Sequence, residues 1–537
     1  MEPNVHTIIK NHVTLSVTCL DRLYINGYVP TLQTSGQLCY FLKEHRGNPI
    51  PSPALFAPMR NRFLDEIERF TQKNRIPRVK FERGQRKDDE ANRRRAHFKA
   101  AEGVVFIGVA QEKASSFKAS KGRGPLGGVH FDFKREPVFV NHYYFYLQDH
   151  RWGPAFLKIG SYLPFPVKLC LNGHEWVKQR LREEEIAFES LDNGFLSCAK
   201  PERLQQLCDS LGPGDVQDVL DRWSKQLPWP LLPEDRAAGF DHKLSLWQLE
   251  VSLTHIFDEP VQGRLFFDGI IHDNLDLGRP DRVTLLFPNR HTKRTLRPAH
   301  GYRTRVITHG VDPSLHVSYR RSELKQYFKL GRGGRAELTV NDPADFGSTK
   351  SINNLDYLRK VGATVNRRLL EVERIGQDCT LSQKAFDRLQ RPTVEQGQRA
   401  SALRLGDPRA MALLQVLAHF ALVAADFRNA DVRAKVAALM GVALDDYTRG
   451  MMTYDLRRLR LKGLIVRVDG THRYRVTSYG LRCALFFSKV FVRILRPGSQ
   501  SLEDNPDDIP RPLRKALAAV DAAIAELCDA AQLRPAA

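Results

Sequence analysis

The sequence predicts a multidomain α+β protein whose C-terminal part is a winged helix-turn-helix. Three observations support this. Runs rich in β-branched and aromatic residues crowd 104–171, helix-period segments alternate with strand-like runs across 241–377, and a basic helix followed by an Asp-Gly hairpin occupies 446–477.

The chain of 537 residues is long enough for roughly three to four domains. Composition shifts and turn-forming clusters divide it into a mixed, partly helical segment over 1–95, a β-rich α+β domain over 96–236 and an α+β domain with acidic and basic clusters over 237–382. A polar linker over 383–406 leads into a winged-helix DNA-binding domain over 407–500, and 501–537 forms a C-terminal helix.

Charge narrows the partners. Lys and Arg number 82 against 61 Asp and Glu, a net +21, and the excess is spread over 75–100, 117–135, 287–305, 318–335 and 449–475 instead of sitting in one tail. That distribution points to a polyanion touched at several places, with salt-sensitive affinity. The eight cysteines are scattered, with no C-x-x-C and no histidine pair at zinc-ligand spacing, so reduced thiols, a cytoplasmic location and no zinc are expected. No basic-then-apolar leader opens the chain and no apolar run approaches the ~18 residues of a membrane span, which argues against export or a membrane partner.

In the first segment the stripe Phe63, Ile67 and Phe70 predicts a helix over 57–74, while the arginine-dense 80–95 reads as a solvated connection. Strands are expected at 104–109, 138–148, 155–159 and 167–171, with a basic, glycine-rich surface loop from Lys118 to Gly128 that lacks the spacing of a phosphate-binding P-loop. Asn172-Gly173 turns the chain into a helix over 174–185, where His174 and Glu175, in H-E-W-V-K and not H-E-x-x-H, suit capping better than zinc. Further on, 244–257 and 366–373 read as helices, and 283–287, 304–308, 315–319 and 336–340 as strands.

The basic helix opens with Asp446 as N-cap and closes on Gly463, turning Met452, Leu456 and Leu459 inward and Arg449, Arg457, Arg458, Arg460 and Lys462 outward. Runs 464–468 and 471–476 flank Asp469-Gly470, a pair suited to a type I′ turn, and make a wing bearing His472, Arg473 and Arg475. With 408–420 and an Asn429-capped helix over 430–440 ahead of it, the basic helix would enter the major groove, and these eight residues are the candidate DNA contacts. Near the C-terminus, Leu513, Leu517, Val520, Ile524 and Leu527 form a short heptad seam that either packs back on the chain or pairs two copies as a homodimer.

Chemistry concentrates before the linker. Glu250, His255, Asp268, His272, Asp273, Asp276, Asp281, Glu337, Asp342 and Asp345 would supply ligands of the kind Mg²⁺ takes for phosphodiester cleavage, with Glu337 and Asp342 the leading metal candidates. Within this segment Lys325, Tyr327, Lys329, Arg335 and Glu337 spell K-x-Y-x-K-x5-R-x-E, which resembles a strand pair of some rolling-circle replication initiators. The resemblance implies Glu337 as metal ligand or base and Tyr327 as nucleophile, although the paired-histidine metal motif of those enzymes does not occur in this sequence. The plainer reading is a basic two-strand surface holding an Arg-Glu pair.

The phrases Q-D-H-R-W-G at Gln148, L-N-G-H-E-W at Leu171, L-D-N-G at Leu191, G-R-P-D-R at Gly278 and Y-D-L-R-R-L-R-L-K-G at Tyr454 resemble those of a widespread bacterial protein family over most of the chain. That implies a bacterial origin and a full-length architecture, and carries no activity. The expectation is a bacterial DNA-binding protein, either a metal-dependent nuclease or a replication or mobile-element factor. The alternatives are a non-catalytic transcription regulator and an RNA-binding protein that stacks bases on Tyr143, Tyr144, Phe145 or Tyr146.

Overall fold

The computed structural model describes residues 5–82, 84–123, 129–275, 282–286, 302–309, 312–377, 381–395, 397–419 and 426–491, with short pieces between 515 and 526; of 271–313 it describes backbone alone. The chain divides into one unit of Met1–His272 with Pro280–Arg374 and another of Asp273–Arg279 with Ile375–Ala537. No helix among the described residues is long and apolar enough to cross a membrane. The seam from Leu513 to Leu527 lies outside the described residues.

In the first unit the strands are β1 Val13–Tyr28, β2 Arg78–Lys80, β3 Gly103–Arg123, β4 Val129–Asp149, β5 Gly153–Gly160, β6 Val167–Asn172, β7 Phe188–Ser190, β8 Phe195–Cys198, β9 Lys243–Phe257, β10 Arg282–Leu286, β11 Tyr302–His309, β12 Asp312–Tyr319, β13 Ser322–Lys329 and β14 Gly333–Val340. The helices are α1 Val5–His12, α2 Ser35–Tyr40, α3 Phe56–Asn74, α4 Lys87–Arg95, α5 Gly173–Glu183, α6 Pro201–Ser210, α7 Pro213–Gln226, α8 Pro233–Ala237, α9 Pro260–Leu275 and α10 Leu355–Gln377.

Twelve of these strands make one sheet in the order β10-β11-β12-β13-β14-β9-β1-β6-β5-β4-β3-β2, antiparallel except at β10–β11 and β2–β3. The segments 1–95, 96–236 and 237–382, expected as separate domains, are therefore joined by backbone hydrogen bonds into one sheet. β1 is the reason. Its first residues pair with β9 and its later ones with both β9 and β6, so the N-terminal strand bridges the two halves.

The expected helix over 244–257 is strand β9. Its buried Leu246, Leu249 and Leu253 share one face at three and four spacing because Trp247 is an extra residue between the first two, and Ile256, on the other face, happens to continue the interval. Tyr24 pairs with Gln248 and Ile25 with Leu246, so a bulge at Trp247 shifts the alternation by one and imitates a helix. Two other expectations change as well. The glycine-rich loop from Lys118 is strand through Arg123, part of a long β3–β4 ribbon of which β5 covers only His142–Asp149. The solvated connection over 80–95 contains α4, which buries Ala91 against Phe81, Phe106 and Tyr146.

One face of the sheet is covered by α1, α9 and α10 through Ile8, Leu253, Phe257, Phe266, Phe267, Ile270 and Leu370. Helix α10 lies so close to β9 that a Cβ on Gly362 would stand 2.5 Å from Val251, and Asn366 donates to the Val251 carbonyl at 2.8 Å. The opposite face, from β6 to β13, keeps Arg22, Tyr24, Asn26, Lys168, Gln248, Glu250, Lys325 and Tyr327 half-buried. This open polar face holds the features of interest.

In the second unit, 383–406 is no linker. It carries α11 Gln383–Gln390 and a hairpin of β15 Thr393–Glu395 and β16 Gln398–Ala400, with Leu389, Ala400 and Leu403 buried. There follow α12 Pro408–Leu417, α13 Asn429–Met440, α14 Arg449–Leu461, a hairpin of β17 Ile465–Arg467 and β18 Tyr474–Val476, and α15 Ser478–Val490. Thr448, not Asp446, caps α14, accepting from Met451 N at 3.3 Å. Asn429 is the first residue of α13 and donates to Arg449 O and Thr453 Oγ1, while Asp431 accepts from the Arg428 N–H at that helix start. The turn between β17 and β18 has positive φ at Gly470 but not at Asp469, so it is not type I′.

The Lys462 ammonium is fully buried and donates to the carbonyls of Arg388 and Arg391, each at 2.8 Å, while Arg458 donates to those of Ser401 and Ala402. A fragment spanning 381–491 is therefore expected to melt cooperatively by circular dichroism. One starting at 407 takes away both acceptors of Lys462 and leaves Arg458 only Asp455, at 3.5 Å, and its stability falls by at least about 2 kcal/mol. Equal stability of the two fragments would contradict this account.

Candidate functional site

Cross-strand partners in a sheet project to the same face. Ser252, Glu337 and Lys325 form one such row across β9, β14 and β13; Thr254, Arg335 and Tyr327 form the next, and Glu250 pairs with Thr339 in the row on the other side. On β1, Leu20 pairs with Val251 and Leu23 with Leu249, so Asp21 and Arg22 both stand against Glu250. This second bulge turns a carboxylate out of an otherwise apolar strand, toward the other two.

Asp21, Glu250 and Glu337 consequently present carboxylate oxygens within 4.8 Å of one another, the spacing that lets one ion touch all three. Arg335, fully buried, forms an ion pair with Asp21 and lies 3.4 Å from Glu337. Asn193 donates to Asp21 at 2.6 Å, and its own oxygen accepts from Lys329. His174 Nε2 sits 3.1 Å from both Ser252 Oγ and Arg335 Nη2. His174 thus belongs to this centre and not to a helix cap, a role Asn172 fills by accepting from His174 N and Glu175 N. Helix α5 can come this close because Gly173 has no side chain: a Cβ there would stand 2.1 Å from the Leu20 carbonyl oxygen.

Glu250 differs from its neighbours. No side-chain hydrogen bond or ion pair reaches it among the described residues, and burial, then Glu337, pushes its carboxyl up to about 7. Asp21 is also raised, by burial first and against the pull of Arg335. Two carboxyls with weakened acidity beside a third are the electrostatic situation a divalent cation relieves. Another close group, Glu102, Asp149 and His150, contrasts with it. There Asp149 already accepts from Arg151 N, Trp152 N, Arg222 and Trp223 Nε1 at 2.7–3.0 Å, so its lone pairs are filled by the fold.

Of the residues expected at a metal, Glu250 and Glu337 meet here. Asp342 does not: it accepts from Ala344 N at 3.2 Å and pairs with Arg321, closing a turn. Asp345 is buried, accepting from Arg321 N and Ser322 Oγ, His255 projects from β9 to the opposite face, and Asp268 is exposed on α9. The side chains of His272, Asp273, Asp276 and Asp281 lie outside the described residues. Tyr327 donates to Glu337 at 3.1 Å, and burial raises its hydroxyl above the ordinary range, the opposite of an activated phenol. Asp21 was absent from the sequence candidates. The signal was Asp21-Arg22 interrupting the apolar run of β1.

The eight expected DNA contacts separate. Arg449, Arg460 and His472 are exposed and Arg457 is half-buried. Arg458 and Lys462 are buried with the acceptors described above, which corrects their assignment to the outward face of α14. On the hairpin Arg475 makes a two-point ion pair with Asp426, at 2.7 and 3.0 Å, and Arg473 donates to the Asp426 carbonyl. Comparison with protein-family models, with curated proteins and with solved structures finds no match to this chain.

The sign of the Glu250 effect on stability follows from its raised carboxyl. The metal-free protein has this contribution in full below the unfolded-state value of ~4.3 and loses it as pH rises through about 7. At pH 8 without divalent cations, Glu250→Gln is expected to stabilise the chain by on the order of 1 kcal/mol, and at pH 4 to leave it unchanged. If Mg²⁺ raises the Tm of the unaltered chain at pH 8, the same substitution should remove that rise. Thermal melts at the two pH values check this, and a destabilised variant at pH 8 would refute it.

Proposed function

We propose that this chain binds DNA and cuts its phosphodiester backbone with a divalent cation held by Asp21, Glu250 and Glu337. The observation that carries the reading is the meeting of three carboxylates from β1, β9 and β14, one of them without a partner. A bound Mg²⁺ would supply Lewis acidity toward a phosphoryl oxygen and a nucleophilic water at neutral pH. Arg335 holds Asp21, Tyr327 holds Glu337 by donating to it, and Lys329, through Asn193, supports the Asp21 side. Lys325, directly opposite Glu337 across β13 and β14 and with its ammonium 4.2 Å from the Tyr327 ring centroid, suits a substrate phosphate.

In this reading a water oxygen bonds to phosphorus, the bond to the leaving deoxyribose oxygen breaks, a proton of the water ends on that oxygen, and Tyr327 positions Glu337 without forming a covalent intermediate. The C-terminal helices and hairpin act as a winged helix that adds duplex affinity through Arg449, Arg457 and Arg460 of α14, with the basic β3–β4 ribbon as another contact. The second reading, a non-catalytic regulator, draws on the Asp21–Arg335 ion pair, which also serves a purely structural cluster.

With labelled DNA and Mg²⁺, Glu250→Gln and Glu337→Gln are expected to lower cleavage at least about a hundredfold while duplex affinity changes little, whereas Tyr327→Phe stays within about tenfold of the unaltered chain. A loss for Tyr327→Phe as deep as that for Glu250→Gln would assign the tyrosine as nucleophile. Absence of any Mg²⁺-dependent cleavage would favour the regulator.

Arg449→Ala with Arg460→Ala should weaken all duplexes alike and lower the salt slope by about 0.9 for each phosphate no longer neutralised. Arg458→Ala should instead lower Tm. Salt titrations of duplex binding beside thermal melts separate the two classes, and an unchanged slope in the double variant would remove α14 from the interface.

A further inference from the structure

We infer that a groove on the same sheet face as the carboxylates is a binding site for single-stranded DNA, with Trp247 as its stacking platform and Lys168, Lys243 and Lys350 as its phosphate contacts. The proposal rests on the reading above in taking the strand to be the substrate of the carboxylate centre. The cavity measures about 1060 Å³. Its described lining includes Lys113, Arg135, Lys158, Lys168, Lys243 and Lys350 and contains no Asp or Glu.

Lys158 and Lys168 stand directly opposite one another across β5 and β6, an arrangement of like charges that destabilises a sheet unless something neutralises it. Lys158 has its answer in Glu112, to which it is ion-paired. Lys168 has no carboxylate partner among the described residues. Its ammonium lies 3.9 Å from the centroid of the Trp247 ring, and burial, then Lys158, pulls it down to about 8. Lys350 approaches the same ring at 5.8 Å. Glu112, the nearest carboxylate, is already ion-paired to Lys87 and Lys158, so Lys168 and Lys350 beside the indole make a site for an anion from outside.

Trp247 decides the kind of anion. It is the extra residue of the β9 bulge and remains 49% exposed, a large indole held out of the core with two lysines around it. The Lys168 ammonium lies over the ring, so a base stacks on that face by taking its place while the ammonium turns to the strand's phosphate, and such stacking is tolerant of sequence. A duplex keeps its base faces inside the stack, so an unpaired strand fits better. Position completes the argument. Asn26, opposite Lys168, lies four residues along β1 from Arg22, hence about 13 Å from the bulge that carries Asp21. One strand lying along this face could touch the groove while its backbone reaches the three carboxylates.

The test uses the full chain in EDTA, with fluorescence anisotropy of a labelled oligothymidylate and of a duplex of equal length. The unaltered chain is expected to bind the single strand, Trp247→Ala to weaken it about tenfold or more, and Trp247→Phe to retain most of the affinity. Replacing Lys168, Lys243 and Lys350 together by alanine should lower the salt slope for the single strand by about 2, at about 0.7 for each phosphate no longer neutralised. Duplex affinity should move less in every case. Undetectable binding by the unaltered chain, single-strand affinity untouched in these variants, or an equal loss for duplex overturns the proposal. Glu250→Gln separates it from the cleavage reading, since that variant leaves the Asp21–Arg335 ion pair in place and should keep the single strand bound while losing cleavage. Groove-dependent binding by a chain that never cleaves would sink the nuclease and leave the groove standing.

Discussion

Arg335 is a cation with no exposed surface, and the first unit is built around satisfying it. Removing one partner of a buried ion pair costs roughly 3–5 kcal/mol, because the remaining charge has no solvent to turn to. Its partner Asp21 comes from the N-terminal strand, Glu337 from its own strand, and the Asn193 carbonyl from the chain between β7 and β8. These meet only when β14, β9 and β1 are adjacent and the bulge at Asp21 and Arg22 is in place. Pairing three distant segments in register is thus a condition both for burying the guanidinium and for assembling the carboxylates.

Arg335 also explains why the centre is poised and not collapsed. One guanidinium beside Asp21 and Glu337 cannot neutralise three carboxylates, and Glu250 on the next row is left with Coulombic support from Arg22, which lies 3.5 Å from Tyr24 OH. Full compensation would have made a rigid ion-pair cluster, as at Asp149. Partial compensation leaves Glu250 oxygens for which a proton and the proposed metal would compete, so that metal affinity would rise with pH.

Much of the sheet was legible because its strands are runs rich in β-branched and aromatic residues, with burial that alternates along β5 and β6: β4, β5, β6, β11, β12 and β14 overlap the runs read from sequence. β9 was not, because a single inserted Trp247 changes the spacing of buried leucines from two to three and four. A misread β9 then hides the site, since Glu250 on a helix has no reason to meet Glu337 on a strand. Asp21 was harder still. Nothing local marks it as a partner of residues so far along the chain, and only its presence in an apolar strand hints that something pays for its burial. Arg458 and Lys462 failed for a related reason: the helical pattern correctly turned Leu456 and Leu459 inward, but the acceptors that draw the two cations inward are backbone carbonyls of a hairpin and helix that read as linker.

The formal excess of +21 therefore overstates what a polyanion meets and misplaces it. In the second unit Arg458 and Lys462 are consumed by carbonyls and Arg475 by Asp426, leaving a narrower basic strip on α14 than its sequence suggests. In the first unit the balance runs the other way. Lys168, with no carboxylate partner among the described residues, lies on the same face as the carboxylate centre, where an approaching phosphate chain would be attracted by the groove and repelled by Asp21, Glu250 and Glu337. A metal ion changes the sign of that second encounter, because a divalent cation between three carboxylates presents positive charge to the phosphate. On the proposed reading, cation loading and strand binding on this face would therefore be coupled: whichever arrives first would lower the electrostatic cost of the other, equally in both directions.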